Sequence, residues 1–379
     1  MTYRIPFNRA TLLGNELRYI AEAVERGHLA GDGDFTRRCS EILQQELGAP
    51  RVFLTTSCTH ALEMCALLLG LEAGDEVICP DFAFVTTINA FVLRGARPVF
   101  VDVRPDTLNL DERRVEARIT PRTKAIVALH YAGVGCEMDV LLDIARRRGV
   151  PVVEDNAHGL FGFYKGKPLG SFGVLATQSF HETKNLTCGE GGALVVNEPS
   201  FVERAEILRE KGTDRSRFFR GQVDKYSWVD LGSSYLPSEV LAAFLFAQLE
   251  GRREIQEKRA RIWRRYHEGL ADWARAHGVC LPFVPEHCRQ PFHMFYLLLP
   301  DLGARGRLIE HLKRRGILAV FHYLPLHDSE MGRKFGGRRG DCPVTEDLSE
   351  RLLRLSMFQA LTDAEQDEVI EAIRAFAAF

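Results

Sequence analysis

The chain lacks an excess of either charge, a long apolar run and any paired-cysteine motif. Lys and Arg number 49 against 51 Asp and Glu, a net charge of -2. No basic surplus exists to hold a nucleic-acid backbone, so nucleic acid is excluded as a partner. The opening "MTYRIPFNRATLLGNELRYI" has no apolar core of the secretory kind. The longest apolar run, Val240 to Ala247, falls far short of the roughly 20 residues that cross a bilayer, so no membrane partner is expected. Nine cysteines are scattered, with no C-x-x-C and no His/Cys group at metal spacing. The reading is reduced thiols, a cytoplasmic location and no metal. Repeats and low-complexity tracts are also missing.

What is present is a long globular chain. Its 379 residues, 46% hydrophobic and 26% charged, exceed one simple core and suggest two domains, 1–250 and 251–379. From Arg51 to Asn197 short β-rich runs alternate with helical stretches: "VFLTT" before "HALEMCALLLG", "EVICP" before "FVTTINAFVLRGA", "PVFVDV", "KAIVALHY" before "MDVLLDIARRRG", "PVVED", "GVLATQSF" and "GGALVVN". Nearly continuous apolar strands between helices predict an α/β fold with a mostly parallel, doubly covered sheet. After Gly251 a long, charged amphipathic helix leads into a smaller α+β unit. Its expected strands are "FHMFYLLLP" and "ILAVFHYLP", its expected helix is "ARGRLIEHLKRRG", and two helices close the chain.

Ligands gather at the carboxyl ends of such strands. Asp155 ends "PVVED", where a buried carboxylate needs a partner. A protonated pyridine nitrogen would serve, and so would a helix N-terminus or an ion pair. Lys184 is the one lysine in "SFHETKNLTCGEGGALVVN", followed by Gly189, Gly191 and Gly192. Ser57, Cys58 and Thr59 lie between a strand and a helix start, which suits a phosphate or an ordinary helix cap. Ser179 could add a hydroxyl. Phe82 or Phe84 could cover a flat ring or simply pack in the core. The order of phosphate turn, aromatic, strand-end Asp and Ser-x-x-x-x-Lys before glycines matches a fold-type I enzyme of pyridoxal 5'-phosphate (PLP).

Together "SFHETKNLTCGEGGALVVN", "VVEDNAH", "PDFAFVTTINAFVLRGARPVFVDVRPDTLNLD" and "LGSSYLPSE" resemble the DegT/DnrJ/EryC1/StrS sugar aminotransferases along essentially the whole chain. Within that family "FTRRC", "REKGTDRSRFFRGQVDKYSW", "GSSYLPSE" and "AVFHYLPLH" are similar to the dTDP-4-amino-4,6-dideoxygalactose transaminases of surface-glycan synthesis. The resemblance implies an aspartate aminotransferase-like fold, PLP as cofactor and L-glutamate as donor. It also implies a homodimer with shared sites and amination of a nucleotide-linked 4-keto-6-deoxy sugar at C4. Amination at C3, or the gluco epimer, stays open, as does a scaffold that kept the fold. By the same resemblance Lys184 is the Schiff-base lysine and Asp155 faces the pyridine nitrogen. His158 sits near the phenolic oxygen, and Phe84 stacks on the ring. Ser57, Cys58, Thr59 and Ser179 hold the phosphate. Ser234 stands where the family's partner subunit offers an Asn, and Leu236 where it offers an Arg. His181, Tyr323 and His327 are the candidates for contact with the substrate.

Overall fold

The computed structural model describes residues 3–377. The seven strands of the central sheet are β1 (Arg51–Thr55), β2 (Glu76–Pro80), β3 (Arg97–Val101), β4 (Thr123–Leu129), β5 (Val152–Asp155), β6 (Leu175–Ser179) and β7 (Gly192–Val196). In space they run β1-β7-β6-β5-β4-β2-β3. Pairings from β3 through to β6 are parallel, as the apolar runs predict. Only β7 reverses, lying antiparallel to both β6 and β1. β2 and β7 are buried along their whole length, because layers cover both sheet faces. Side chains alternate accordingly. Phe53, Leu194 and Val196 pack with Met64 and Leu68 of the helix Cys58–Leu68 on one face. Val52, Leu54 and Val195 pack with Phe35, Leu43 and Phe246 on the other.

The helix Arg252–Ala276 buries Ile255, Ile262, Tyr266, Leu270 and Trp273, a stripe at helical spacing. Most of that stripe packs on Val369, Ile370 and Ile373 of the helix Asp363–Arg374 and on a short antiparallel pair, β8 (Tyr296–Leu298) and β9 (Leu352–Arg354). "FHMFYLLLP" therefore shortens to β8, and "ILAVFHYLP" departs from expectation altogether. Ile317 and Val320 make single bridges, to Ile5 and Arg354, and no strand follows. Past Val320 the chain leaves the sheet edge, which carries His322 and Tyr323 towards the strand ends of the large sheet. All nine cysteines are free. Among the described residues no helix is long and apolar enough to cross a membrane.

Candidate active site

Strand register assembles the site. Gly192 opens β7 and pairs with Thr55 at the end of β1 on one side and Ser179 at the end of β6 on the other. A Cβ on Gly192 would come within 2.3 Å of the Ser57 carbonyl carbon and 2.4 Å of the Cys58 nitrogen. Only glycine lets the turn after β1 settle this close to β7. Ser57 caps the helix Cys58–Leu68, its Oγ accepting from His60 N at 3.1 Å. The helix thus presents its first N–H groups, at Cys58 and Thr59, beside Ser179, an arrangement suited to an anion. Ser57 is therefore both the helix cap and part of the turn, and the two readings of it are compatible. The Cys58 sulfur lies 3.5 Å from the Thr177 hydroxyl on β6. Burial, with help from Asp155, pushes the Cys58 thiol up to about 12, so it is a neutral wall.

Asp155 closes β5 and is buried. Thr87 Oγ1 donates to its Oδ2 at 2.7 Å, and Ala157 N donates to Oδ1 at 3.2 Å. No arginine or lysine makes an ion pair with it among the described residues, so the carboxylate retains acceptor capacity for a cation that enters the site. Lys184 is half-buried on the loop after β6, its amine without a hydrogen bond among the described residues. Burial draws that amine below the ordinary 10.5, against the opposing pull of Cys58 and Asp155. A lowered amine is the form that attacks a carbonyl.

His158 is buried, and its ring stacks on His293 with centroids 4.4 Å apart. Its Nε2 meets the Tyr323 hydroxyl at 3.3 Å, while Nδ1 is buried with no partner. Asn185, next to the lysine, donates from Nδ2 to Pro291 O at 2.7 Å, so its Oδ1 accepts from His293 Nδ1 at 2.9 Å. His322 Nδ1 meets the Tyr131 hydroxyl at 2.6 Å. Burial first, then neighbouring cations that include Lys184, hold all three imidazoles well below the ordinary 6.5. These rings hydrogen-bond as neutral groups. Of the two phenylalanines, Phe82 is core and packs on Tyr131, whereas Phe84 is 54% exposed with its ring 6.1 Å from Tyr323. Phe84 is the one free to cover a ligand.

One expected substrate residue is corrected. His327 is buried, its Nδ1 bonded to Asp81 Oδ2 at 2.7 Å and its Nε2 to Glu346 Oε1 at 3.0 Å. Its backbone N–H also donates to Asp81 Oδ1 at 2.7 Å. With both ring nitrogens taken it anchors the 321–328 loop to the end of β2 and has no atom left for a substrate. Cys342 completes a buried group whose donor atoms lie within 4.8 Å of one another, a grouping that no sequence spacing announces. His181 is half-buried on the lysine loop, with Nδ1 2.9 Å from the Thr183 hydroxyl. Ser234 is exposed on this chain, in a segment that also exposes Phe219, Tyr226, Trp228 and Leu231. Thr87, Tyr131, Asn185, His293, His322 and Asp81 are site or supporting residues that sequence reasoning missed. The sequence signal open to detection was the cluster of polar aromatics in "FHMFY" and "FHYLPLH".

The residues fit PLP: an orphaned imidazole nitrogen, an acid without a cationic partner, a free amine and a turn of N–H groups face one region. Comparison with known proteins agrees. The family model described as the DegT/DnrJ/EryC1/StrS aminotransferase family matches residues 11–374. The spore coat polysaccharide biosynthesis protein SpsC of Bacillus subtilis is 30% identical over 378 residues, covering 98% of this chain and 96% of its own. The aminotransferase TlmJ of Streptoalloteichus hindustanus superposes with a TM-score of 0.89 at 31% identity, covering 99% of this chain and 98% of that one. The PLP form of Spr1654 from Streptococcus pneumoniae, a sugar aminotransferase by description, gives a TM-score of 0.90 at 25% identity over 98% of both chains. The chain belongs to the DegT/DnrJ/EryC1/StrS aminotransferase family, whose enzymes depend on PLP.

Proposed function

We propose that this sugar aminotransferase moves an amino group from L-glutamate to C4 of dTDP-4-keto-6-deoxy-D-glucose, giving dTDP-4-amino-4,6-dideoxy-D-galactose for a surface glycan. The observation that carries the transaminase reading is Lys184, an amine lowered by burial beside Asp155 and the Ser57–Thr59 turn. The sugar and its C4 position rest on the similarity of "REKGTDRSRFFRGQVDKYSW" and "AVFHYLPLH" described above. PLP, when bound, supplies an electron sink for the carbon that loses a proton. Asp155 would face the ring nitrogen of the bound cofactor, where a carboxylate acceptor favours the nitrogen's protonated form. His158, with its unpartnered Nδ1, would offer an imidazole nitrogen to the phenolic oxygen, and the exposed Phe84 would cover the ring. Cys58, Thr59 and Ser179 would hold the phosphate, with Ser57 capping the helix at the turn. Lys184 Nζ takes the donor's α-proton and later returns a proton when the sugar is aminated.

In this reading residues 1–250 hold the cofactor, and 251–379 close over it through Tyr323. Ser234 acts in trans across a homodimer. The exposed apolar side chains around it support burial against a second copy. NMR of the product formed from dTDP-4-keto-6-deoxyglucose and L-glutamate tests the proposal. An axial amine at C4 supports it, and an amine at C3 or an equatorial one overturns the assignment.

A further inference from the structure

Apart from the residues that face the cofactor, the fold gathers an acid, an imidazole and a thiol. Asp81 follows β2, His327 lies on the loop after Tyr323, and Cys342 precedes the helix Pro343–Arg351. All three are buried, and one donor atom from each lies within 4.8 Å of the other two. Asp81 Oδ1 accepts from the His327 backbone N–H, which leaves Oδ2 facing His327 Nδ1 at 2.7 Å. On the far side of the ring Glu346 Oε1 holds Nε2 at 3.0 Å, and the same oxygen accepts from Gly340 N at 2.6 Å. Cys342 is the surplus member. It stands at the helix N-cap, yet its side chain caps nothing. Asp102, just past β3, fills that role, accepting from Val344 N at 3.0 Å and Thr345 N at 2.9 Å. The thiol is therefore 2% exposed and has no hydrogen bond among the described residues. Burial, then Asp81 and Asp102, hold it well above its ordinary 9.0, so it stays neutral until a cation reaches it.

We propose that Asp81 Oδ2, His327 Nδ1 and Cys342 Sγ bind a divalent cation of the Zn2+ class, with Glu346 orienting the ring from outside. Thiolate and imidazole together select zinc-like ions over magnesium or calcium, and a carboxylate is a regular third zinc ligand. A ligating imidazole generally gives its other N–H to a carboxylate, which is the place of Glu346. Ligand bonds of about 2.0–2.3 Å put the donors of such a site roughly 3–4 Å apart, so the group closes on a cation by shifts of about 1 Å. Charge balances as well. Without the cation the ring carries both protons and anchors the loop as described above. As Zn2+ enters, one proton leaves the imidazolium and one leaves the thiol, so the net charge of the buried group is unchanged. The new thiolate lies at a helix N-terminus, which favours it. A water takes the fourth position, as at zinc sites with three protein ligands. The bound ion ties β2, the 321–328 loop and the helix Pro343–Arg351 to one point, and so fixes the chain that carries His322 and Tyr323. None of this depends on which sugar is aminated.

The test uses the PLP-loaded enzyme, stripped of metal by a chelator and then given Zn2+ or Co2+. One Zn2+ per chain should survive gel filtration, and Tm should rise on the order of 4 °C at a hundredfold excess over Kd. Co2+ should give the intense visible bands of a tetrahedral site. Cys342→Ala should weaken Zn2+ binding on the order of 100-fold, and Glu346→Gln about tenfold. Because the Cys342 thiol makes no hydrogen bond, the metal-free Tm of Cys342→Ala should stay within about 3 °C of wild type. Cys280→Ser removes an exposed thiol and should leave Zn2+ binding as it is. Removing PLP should leave it unchanged too, which separates this site from metal held by the cofactor. Failure to retain Zn2+, equal retention by Cys342→Ala, loss of Zn2+ with Cys280→Ser or with the cofactor, or the pale octahedral Co2+ spectrum of surface carboxylates would each overturn the proposal.

Discussion

Replacing Asp155 with Asn separates chemistry from folding, because the two hydrogen bonds that hold the carboxylate survive the change. Ala157 N can still donate to Oδ1, and the Thr87 hydroxyl can rotate from donor to acceptor for the new amide. The folding cost should stay within about 1 kcal/mol, roughly 2 °C in Tm. The amide, however, cannot keep a pyridine nitrogen charged. A hydrogen bond to a charged group contributes about 1.5–3 kcal/mol. At about 1.4 kcal/mol per decade, the proton-transfer rate should fall roughly 10- to 150-fold. Single-turnover loss of the visible band with saturating L-glutamate reads that rate, and a thermal melt reads the fold. Thr87→Val is the companion variant. It removes the 2.7 Å donor but leaves the charge, so its loss of rate should be smaller. A rate within about threefold of wild type for Asp155→Asn, or a collapse of Tm with the rate preserved, would show Asp155 to be a structural acid.

Lys184→Ala should abolish turnover and the visible band while the protein still holds PLP non-covalently; borohydride should then fix no cofactor to the chain, and persistent turnover without added amine would refute the assignment. Gly192→Ala pushes a methyl into the backbone at Ser57 and Cys58, at a cost of about 1–3 kcal/mol. Equilibrium dialysis should show PLP retention weakened at least tenfold, and unchanged retention would break the link between register and phosphate turn. Mixing Lys184→Ala with Ser234→Arg should restore activity on subunit exchange, because one of the two sites then carries neither lesion; no recovery despite proven exchange would mean each subunit builds its own site. His327→Gln tests the anchor to β2. Burial opposes the charge on His327, but Asp81 and Glu346 outweigh it and raise its pKa from 6.5. Such a raised value stabilises the fold below the unfolded value and is lost as pH climbs through the folded one. The Tm gap between wild type and variant should be widest near pH 6 and close towards pH 9, and a pH-independent gap would contradict the ion-pair reading.

The β/α order and the strand-end positions of Asp155 and Ser179 were legible because period and burial are written locally. The mistaken strand at 317–325 shows the limit. "ILAVFHYLP" has strand composition, yet its backbone found only single bridges, and pairing partners are set by tertiary structure. His327 looked free because sequence does not show that Asp81, 246 residues away, would take its ring nitrogen. Thr87 went unnoticed for the same reason, being 68 residues from the carboxylate it serves. The reversal of β7 was also hidden, since a short buried run reads alike in either direction.

That reversal has a kinetic consequence. β1 is the first sheet strand to leave the ribosome, yet among the described residues its sole neighbour in the sheet is β7, about 140 residues later. Until Gly192 is made and slotted in, the turn at Ser57 has nothing to rest on. The nascent chain must carry β1 as an unpaired edge, exposed to association with other chains. Capture of a cofactor at the Ser57 turn should follow the pairing of β1 with β7, and free PLP in the medium should speed the appearance of active enzyme only after that pairing.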